Sequence, residues 1–269
     1  MTHFSVPRAP ERIVCLTEEP TEILYALGQQ HRIVGISAYT VRPPIARESH
    51  PVVSAFIGGS IKKIKALEPD LIIGFSDIQA QLAHDLIKEN LPVLIFNQRS
   101  IQEILDVIVM TGAIVGERDQ ALSLVEDYVG YLEMARARAA TRPRRKVYFE
   151  EWDDPLITSI EWVHELIEIV GGDNIFAHHA TGKLASERFV THEQIIAANP
   201  DVILASWCGK PVDIDSIRTR EGYDRITAVK KNEIHELDPS IILQPGPASL
   251  TEGLATLERL IHPAHEAAE

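Results

Sequence analysis

The sequence predicts an α/β protein built from two similar lobes, each with a mainly parallel sheet, joined by one long interlobe helix. Short runs of valine, isoleucine and leucine alternate with helical patterns along the whole chain, as is typical of parallel α/β folds. One helical pattern is longer than the others and ends in a polar stretch that contains proline. The order of strands and helices before it is repeated after it, which favours two lobes of the same architecture.

The predicted strands are short and apolar. Runs such as Leu-Ile-Ile at 71–73 are too densely apolar for an amphipathic helix and are typical of strands buried on both faces of a sheet. In chain order, strands are predicted at 12–16, 71–73, 93–96, 146–149, 202–205 and 233–237.

The predicted helices lie between these strands. Residues 20–28 form a helix that ends at Gly28, because glycine commonly caps the carboxyl end of a helix, and residues 163–172 form its counterpart in the second half. Residues 119–138 form the long helix, which ends before the polar stretch at 141–145. The predicted domains are therefore an N-terminal α/β lobe at 1–116, an interlobe helix at 117–141 and a C-terminal α/β lobe at 142–269.

A Pro-Asp dipeptide precedes a buried strand in both halves of the chain. Pro69-Asp70 leads into one predicted strand and Pro200-Asp201 leads into another, at the same place in the order of elements. Proline ends the preceding helix and aspartate favours the turn into the strand. The shared dipeptide supports the internal repeat.

Composition excludes several classes of function. The 269 residues carry 39 acidic and 26 basic side chains, a formal net charge of −13. This balance argues against binding to nucleic acid or anionic lipid, because both require a basic face. No apolar run approaches the roughly 20 residues of a membrane span, so we expect no direct membrane insertion. Two cysteines are too few for a disulfide scaffold or a structural zinc site.

The first residues bear on localisation. Residues 1–8 lack the basic start, the apolar stretch and the cleavage site of a secretory signal peptide. We therefore expect a periplasmic protein if a signal peptide was removed and Met1 added, and a cytoplasmic protein otherwise.

Two facing α/β lobes form a cleft at the carboxyl ends of their strands, where ligands of such sheets usually bind. Aromatic residues follow the predicted strand ends, and their flat faces suit a bulky planar ligand. Trp152 and Trp207 lie among polar residues and are predicted to face the cleft, whereas packing against a helix competes with ligand contact for Phe75. Trp162 stands near the start of a helix at the same end, and Tyr39 lies in a loop.

Acidic residues cluster after the strand predicted at 146–149. Most clusters of this kind are hydrated loops. At a predicted cleft, however, such carboxylates can accept hydrogen bonds from the amides or hydroxyls of a ligand, and Glu151 is the candidate for this role.

No pattern that indicates catalysis is present in the sequence. It contains no Gly-x-Ser-x-Gly elbow, phosphate-binding glycine loop or Cys-x-x-Cys pair. His178, His179 and His192 are candidate metal ligands, but their spacing favours a solvated loop. Cys208 is a candidate thiol ligand or nucleophile without an evident neighbouring base, and an incidental thiol is the competing interpretation. We therefore predict a binding protein, not an enzyme, with no catalytic residue, no metal ligand and no intrinsic cofactor.

Several segments resemble the helix-linked (class III) periplasmic solute-binding proteins for cobalamin and iron-siderophores. The first is 15–37, which is similar to the opening of those proteins. The others are 66–73, 166–176, 198–204 and 245–247. The resemblance spans nearly the whole chain and is closest to the cobalamin-binding branch. Other proteins of the same family bind siderophores or haem.

The resemblance implies a two-lobed protein that binds a corrinoid, or a related metal chelate, and delivers it to an ABC importer. It also implies a stiff hinge with little closure, and we expect a monomer. Phe75 matches the position of a cleft tryptophan in the cobalamin-binding branch, and Tyr39 lies near a cleft tyrosine. Gln244 falls in the C-terminal loop that supplies polar contacts to the ligand.

Relatives in this family use one glutamate on each lobe to bind arginines of the permease. Glu193 matches the glutamate of the C-terminal lobe, whereas Gln81 stands at the N-terminal position, which halves the charge available for docking. This departure and the N-terminal residues leave an alternative open, namely a cytoplasmic chelate-binding or chelate-processing protein on the same fold that is not docked to a permease.

Overall fold

The first half of the chain is built around a parallel sheet. Its strands are β1 (Ile13–Cys15), β2 (Ile33–Ser37), β3 (Val52–Ser54), β4 (Leu71–Phe75) and β5 (Val93–Phe96). They lie in the order β3-β2-β1-β4-β5, and all neighbouring pairs are parallel.

In this computed structural model, residues 8–263 are described. The segment 1–7, which carries most of the prediction about a signal peptide, lies outside the described residues.

The sheet of the first half is buried on both faces, as the dense apolar runs predict. Ile13 and Cys15 belong to one apolar cluster, whereas Val14 and Leu16 belong to another. Because successive side chains of a strand point to opposite faces, β1 contributes to two cores at once. Helices cover this sheet and complete the unit: α1 (Glu18–Ala26), α2 (Ile45–Ser49), α3 (Ile61–Ala66), α4 (Ala80–Lys88) and α5 (Ile101–Val115).

The chain divides into two compact units. Unit 1 comprises Met1–Gln98 and Gln102–Glu126, and unit 2 comprises Arg99–Ile101 and Asp127–Glu269. The long helix α6 (Arg118–Ala139) contains the boundary between Glu126 and Asp127.

Unit 2 is built around a mixed sheet. Its strands are β6 (Arg145–Asp153), β7 (Leu156–Thr158), β8 (Gly172–Asn174), β9 (Val202–Ala205) and β10 (Ile234–Glu236). The order is β10-β9-β6-β7, and β8 also pairs with β6. Only β7 runs antiparallel among these described strands, so the prediction of an α/β fold with mainly parallel sheets is confirmed.

β6 is longer than predicted. The sequence prediction ended this strand at residue 149 and placed the following acidic residues in a loop, which is wrong. The strand continues to Asp153 because β7 folds back on it, with Glu150 opposite Thr158 and Asp153 opposite Leu156. Glu151 and Trp152 are therefore fixed on a strand.

The helices of unit 2 are short. They are α7 (Glu161–Ile169), α8 (His192–Ala198), α9 (Ile214–Arg218), α10 (Thr227–Lys230), α11 (Pro239–Ile242) and α12 (Leu254–Ile261). A π-helical turn at Ser249–Gly253 leads into α12. Within residues 8–263, no helix has the length and apolar character needed to cross a membrane.

The repeated Pro-Asp dipeptide has the same role in both units. The Asp70 carboxylate accepts hydrogen bonds from the backbone N–H groups of Glu11 (2.7 Å) and Arg12 (2.8 Å), just before β1. The Asp201 carboxylate accepts one from the N–H of Lys146 (2.9 Å) in β6. Each aspartate therefore joins the amino ends of two neighbouring parallel strands.

Candidate functional site

Tyr39 and Phe75 lie at the carboxyl edge of the sheet in unit 1. Tyr39 follows β2 and is 45% exposed, and its ring meets that of Phe56 edge-on at a centroid distance of 6.2 Å. Phe75 is the last residue of β4 and is only 6% exposed. At this edge the ring of Tyr39 is therefore accessible to solvent, whereas the ring of Phe75 lies largely beneath the surface.

Gln79 holds the carboxyl ends of several strands together. Its side-chain oxygen accepts the N–H of Phe75 (3.2 Å), and its amide nitrogen donates to the carbonyls of Leu16 (3.3 Å) and Phe56 (2.9 Å). A Cβ at Gly74 would lie 2.4 Å from that side-chain oxygen, so a larger residue there would displace the Gln79 side chain. The sequence analysis missed Gln79, because its partners are distant in the chain.

Two buried carboxyl groups begin α1, next to the carboxyl end of β1. Burial and the neighbouring Glu19 carboxylate raise the pKa of Glu18 to about 8, and burial raises the pKa of Glu19 to about 7. The next carboxylate along, Glu22, lies 3.4 Å from the Nε of Arg42. Near neutral pH, Glu18 and Glu19 therefore retain protons that ordinary glutamates have lost.

Trp152 is the accessible tryptophan of unit 2. It is half-buried on β6, and its Nε1 donates to the carbonyl of Asp154 (3.0 Å). Lys210 lies over the ring with its Nζ 4.3 Å from the ring centroid, and the same Nζ contacts Asp153 Oδ1 at 2.6 Å. One ring face is therefore covered by a cation, and the orientation of the ring is fixed at its polar edge.

Trp207 is buried, and the expectation that it is accessible was wrong. Its side chain is 2% exposed and belongs to the apolar core of unit 2. The indole Nε1 donates to Glu150 Oε1 at 3.1 Å, which satisfies its one polar atom inside the protein. The polar residues around Trp207 in the sequence therefore do not indicate exposure.

Glu150 is the centre of a buried polar network. Arg220 donates to both of its oxygens, at 2.6 and 2.9 Å, and the hydroxyl of Tyr148 donates at 3.2 Å. The Glu150 side chain is fully buried. Burial and the Glu150 charge raise the pKa of Tyr148 well above its usual value, so its hydroxyl keeps its proton. The network fixes Trp207 beneath the carboxyl edge of the sheet.

Trp162 is also buried, at 3% exposure in the first turn of α7. Its Nε1 donates to the carbonyl of Ile242 (2.9 Å), and its backbone N–H donates to the carbonyl of Arg99 (2.9 Å). These contacts give the ring a packing position within unit 2.

The two predicted polar contact residues are both partly buried. Glu151 accepts two hydrogen bonds from the buried Arg188, one of them 2.9 Å long from Nη2, and Arg188 also donates to the carbonyl of Thr158 (2.7 Å). Gln244 lies in the loop after α11, where its carbonyl accepts the N–H of Gly246 (2.8 Å). The predictions that Glu151 and Gln244 contact a ligand stay predictions.

The two predicted docking residues are exposed. Glu193 lies in the first turn of α8, where the hydrogen bond from its own backbone N–H and that from Thr191 lower the pKa of its carboxyl group. Gln81 lies on α4 and donates to Asp85 Oδ1 at 3.0 Å. Both side chains are accessible to another protein in this structure.

The histidines and cysteines do not assemble into a metal site in the described part of the chain. No group of three or more His, Cys, Asp or Glu side chains within residues 8–263 is placed to hold an ion. The rings of His178 and His179 are tilted by 43° with centroids 4.3 Å apart, and His192 Nδ1 lies 3.1 Å from the hydroxyl of Tyr223. Cys15 is buried and Cys208 is exposed.

Comparison with known proteins assigns the chain to a family. The family model described as "Periplasmic binding protein" matches residues 13–241. The chain belongs to the periplasmic binding protein family. This confirms the predicted membership among helix-linked periplasmic solute-binding proteins. Its relatives are substrate-binding proteins rather than enzymes, and such proteins carry a transported ligand instead of an intrinsic cofactor.

Individual members of the periplasmic binding protein family match along most of the chain. An uncharacterized ABC transporter substrate-binding lipoprotein of Bacillus subtilis is 27% identical over 270 residues, covering 96% of this chain and 82% of that protein. A vitamin B12-binding protein of Vibrio vulnificus is 27% identical over 251 residues, covering 91% of this chain and 89% of that protein. The crystal structure of a possible iron-binding periplasmic solute-binding protein of Staphylococcus epidermidis has a TM-score of 0.81 at 24% identity, covering 95% of this chain and 100% of that chain, and shows the shared fold.

Proposed function

We propose that the chain is the periplasmic substrate-binding component of an ABC importer and that its ligand is a corrinoid or a related planar metal chelate. The observation that carries the proposal is an accessible aromatic ring at the carboxyl edge of the sheet in each unit, Tyr39 in unit 1 and Trp152 in unit 2. Large flat rings bury much area at small entropic cost, which suits a macrocycle.

The contacts around Trp152 favour stacking over hydrogen bonding. Its indole N–H already donates to Asp154, so the ring offers a face rather than a polar edge. Lys210 covers one face, and the ring also packs against the apolar core of unit 2, so we propose that the lysine moves aside for the ligand. Phe75 in unit 1 and Trp162 and Trp207 in unit 2 are buried and are proposed to support the accessible rings of their own units, and Glu151 and Gln244 are the proposed polar contacts.

The corrinoid class is supported by the relative from Vibrio vulnificus, which is named a vitamin B12-binding protein and covers 91% of this chain. Haem and iron-siderophores are the competing ligands that the family resemblance implies. Isothermal titration calorimetry distinguishes these ligands: the protein is titrated separately with cyanocobalamin, cobinamide, haemin and a ferric siderophore. Saturable binding of either corrinoid supports the proposal. Binding of haemin without the corrinoids identifies a related planar chelate as the ligand, whereas binding of the siderophore alone, or of none of the four compounds to about 50 μM, overturns the proposal.

Replacing Trp152 by alanine tests the stacking surface. We expect corrinoid affinity to fall about tenfold to a hundredfold, the loss of one large aromatic contact, with some decrease in Tm because the ring also packs against the core of unit 2. Tyr131→Ala is the matched control, since Tyr131 is a 44% exposed aromatic of unit 2 on α6, away from the strand ends. Equal losses in both variants, or unchanged affinity in Trp152→Ala, would show that Trp152 does not contact the ligand.

Docking to a permease is proposed to use Glu193, with Gln81 at the corresponding position in unit 1. The exposure of Glu193 supports this, because a carboxylate in water can pair with an arginine of another protein. We expect Glu193→Gln to reduce co-purification of the chain with its permease, whereas Glu221→Gln, at another exposed glutamate, leaves it unchanged. Retention of the permease by Glu193→Gln would show that docking does not use Glu193, and failure of the wild-type chain to co-purify with any permease would favour the alternative, a chelate-binding protein that is not docked.

A further inference from the structure

A basic cavity lies at the amino edge of the sheet in unit 2, the opposite edge from Trp152. β6 begins at Arg145, and Glu233 directly precedes β10, so the parallel arrangement places both at this edge. The cavity has a volume of about 550 Å³, and its polar lining is Arg142, Arg145, Lys231, Glu233 and His262. An adjoining cavity of about 400 Å³ shares Lys231 and Glu233 and adds Arg259.

Arg145 is held rigidly in the wall of this cavity. Its guanidinium donates to the carbonyls of Ile261 (2.9 Å) and Asp201 (3.2 Å), and it lies 3.5 Å from Glu233 Oε1. Two of these three partners are neutral carbonyls from different segments. The cation is therefore fixed in position before any ligand arrives, which lowers the entropic cost of binding an anion.

The cavity has more positive than negative charge. Arg142 Nη1 lies 3.3 Å from Glu258 Oε1, but Glu258 also accepts two hydrogen bonds from Arg138, so one carboxylate serves two guanidinium groups. Lys231 and Arg259 form no ion pair with any residue in the described range 8–263. This surplus stands out in a chain with a formal net charge of −13.

We propose that this cavity binds a phosphate group, carried either by a soluble phosphate compound or by the headgroup of an anionic lipid. Guanidinium groups match phosphate oxygens in geometry, and a lysine ammonium adds a mobile charge. The volume of the cavity lies within the usual range of small-molecule pockets. It is larger than a bare phosphate ion needs, so the phosphate can belong to a larger molecule. The inference is independent of the proposed function, since it uses the opposite edge of the sheet.

His262 provides a spectroscopic reporter inside the cavity. Burial lowers the pKa of its imidazole, and the charges of Arg142 and Arg145 lower it further. A bound phosphate adds negative charge beside these cations, so it favours the protonated imidazole. We therefore expect the NMR titration of His262 to move to higher pH when inorganic pyrophosphate is added.

Charge-neutral variants test the site directly by calorimetric titration with inorganic pyrophosphate. Arg142→Gln and Lys231→Gln alter exposed side chains, and each should weaken binding about tenfold, the loss of one charge-assisted contact. Lys62→Gln removes the same charge from an exposed position on α3 and should change affinity less than twofold. Equal effects of Lys62→Gln and Lys231→Gln would indicate non-specific attraction and overturn the proposal.

A second arm identifies the source of the phosphate. Vesicles of phosphatidylglycerol, with phosphatidylcholine vesicles as the neutral control, are sedimented with the wild-type chain and with Lys231→Gln. Pyrophosphate binding without sedimentation supports a soluble ligand, and sedimentation that depends on Lys231 supports a lipid headgroup. Absence of both pyrophosphate binding to about 10 mM and Lys231-dependent sedimentation overturns the proposal.

Discussion

Glu150 shows how one buried side chain can organise a whole region. Its two oxygens accept hydrogen bonds from Arg220, Trp207 and Tyr148, which come from different segments of unit 2. Burying a carboxylate is costly unless its oxygens are paired, and here a guanidinium supplies the opposite charge. We therefore interpret the Glu150–Arg220 pair as fixing the orientation of the Trp207 indole, with little addition to the net stability of the fold.

Replacing Arg220 by methionine leaves the Glu150 carboxylate buried without its cation. Because such a charge is strongly unfavourable, we expect the free energy of unfolding to fall by about 3–5 kcal/mol, measured by urea denaturation. Adding Glu150→Gln removes the charge, while the amide oxygen can still accept from Trp207 and the amide NH2 group can donate to the hydroxyl of Tyr148. The double variant should therefore be more stable than the single one. A double variant that is no more stable contradicts this account.

Position in the sequence predicted the accessibility of some aromatic residues and not of others, for a physical reason. Trp152 was proposed because it follows a strand, where ligands of α/β folds bind, and Tyr39 because it lies in a loop and matches the family resemblance; both rings are at least partly accessible. The polar neighbours of Trp207 predicted exposure, but Glu150 satisfies its N–H within the core. Lys210 was missed because its contact with Trp152 joins residues that are distant in the chain. Such pairings depend on tertiary structure, which local patterns do not encode.

At the scale of the elements, apolar runs located the central strands closely. The run at 93–96 is β5 and that at 202–205 is β9, with the bounds that the sequence predicted. Four strands, β2, β3, β7 and β8, were not predicted. Three of them have only three residues, and a segment of this length carries no periodic signal of its own. Both β7 and β8 pair with β6, and their strand character comes from that partner.

The Pro-Asp dipeptide is a feature of the elements whose position the sequence predicted, although it assigned the aspartate only to the turn before the strand. Proline ends one helix, and aspartate then joins neighbouring strands through backbone N–H groups, at Asp70 in unit 1 and at Asp201 in unit 2. A carboxylate that accepts from the backbone forms a charge-assisted hydrogen bond, about twice as strong as a neutral one. The same residue type therefore aligns the same pair of strand ends in each unit.

At the scale of the whole molecule, Glu18 and Glu19 make stability depend on pH. Both pKa values are raised from the usual 4.5, to about 8 and about 7. Between about pH 4.5 and pH 8, the folded state therefore holds protons on Glu18 and Glu19 that the unfolded chain releases. The free energy of unfolding should therefore decrease as pH rises from about 4.5 to about 8, and change little from this cause above that.

Glu19→Gln removes one of these titrations while preserving the shape of the side chain. We expect the variant to exceed the wild type in free energy of unfolding by about 2–3 kcal/mol near pH 8.5, and by much less near pH 5. Urea denaturation at both pH values measures the difference, and Glu221→Gln, at an exposed glutamate, serves as the control. A gain of equal size at both pH values would rule out the deprotonation of Glu19 as its cause.

The two cysteines differ sharply in reactivity. Burial raises the pKa of the Cys15 thiol to about 12, whereas Cys208 is exposed directly after Trp207. Since the thiolate is the form that alkylates, a maleimide dye at neutral pH labels Cys208 and spares Cys15. The chain thus offers a single attachment point for a fluorophore, two residues from the lysine that lies over Trp152, where binding of the proposed ligand would change the surroundings of the dye.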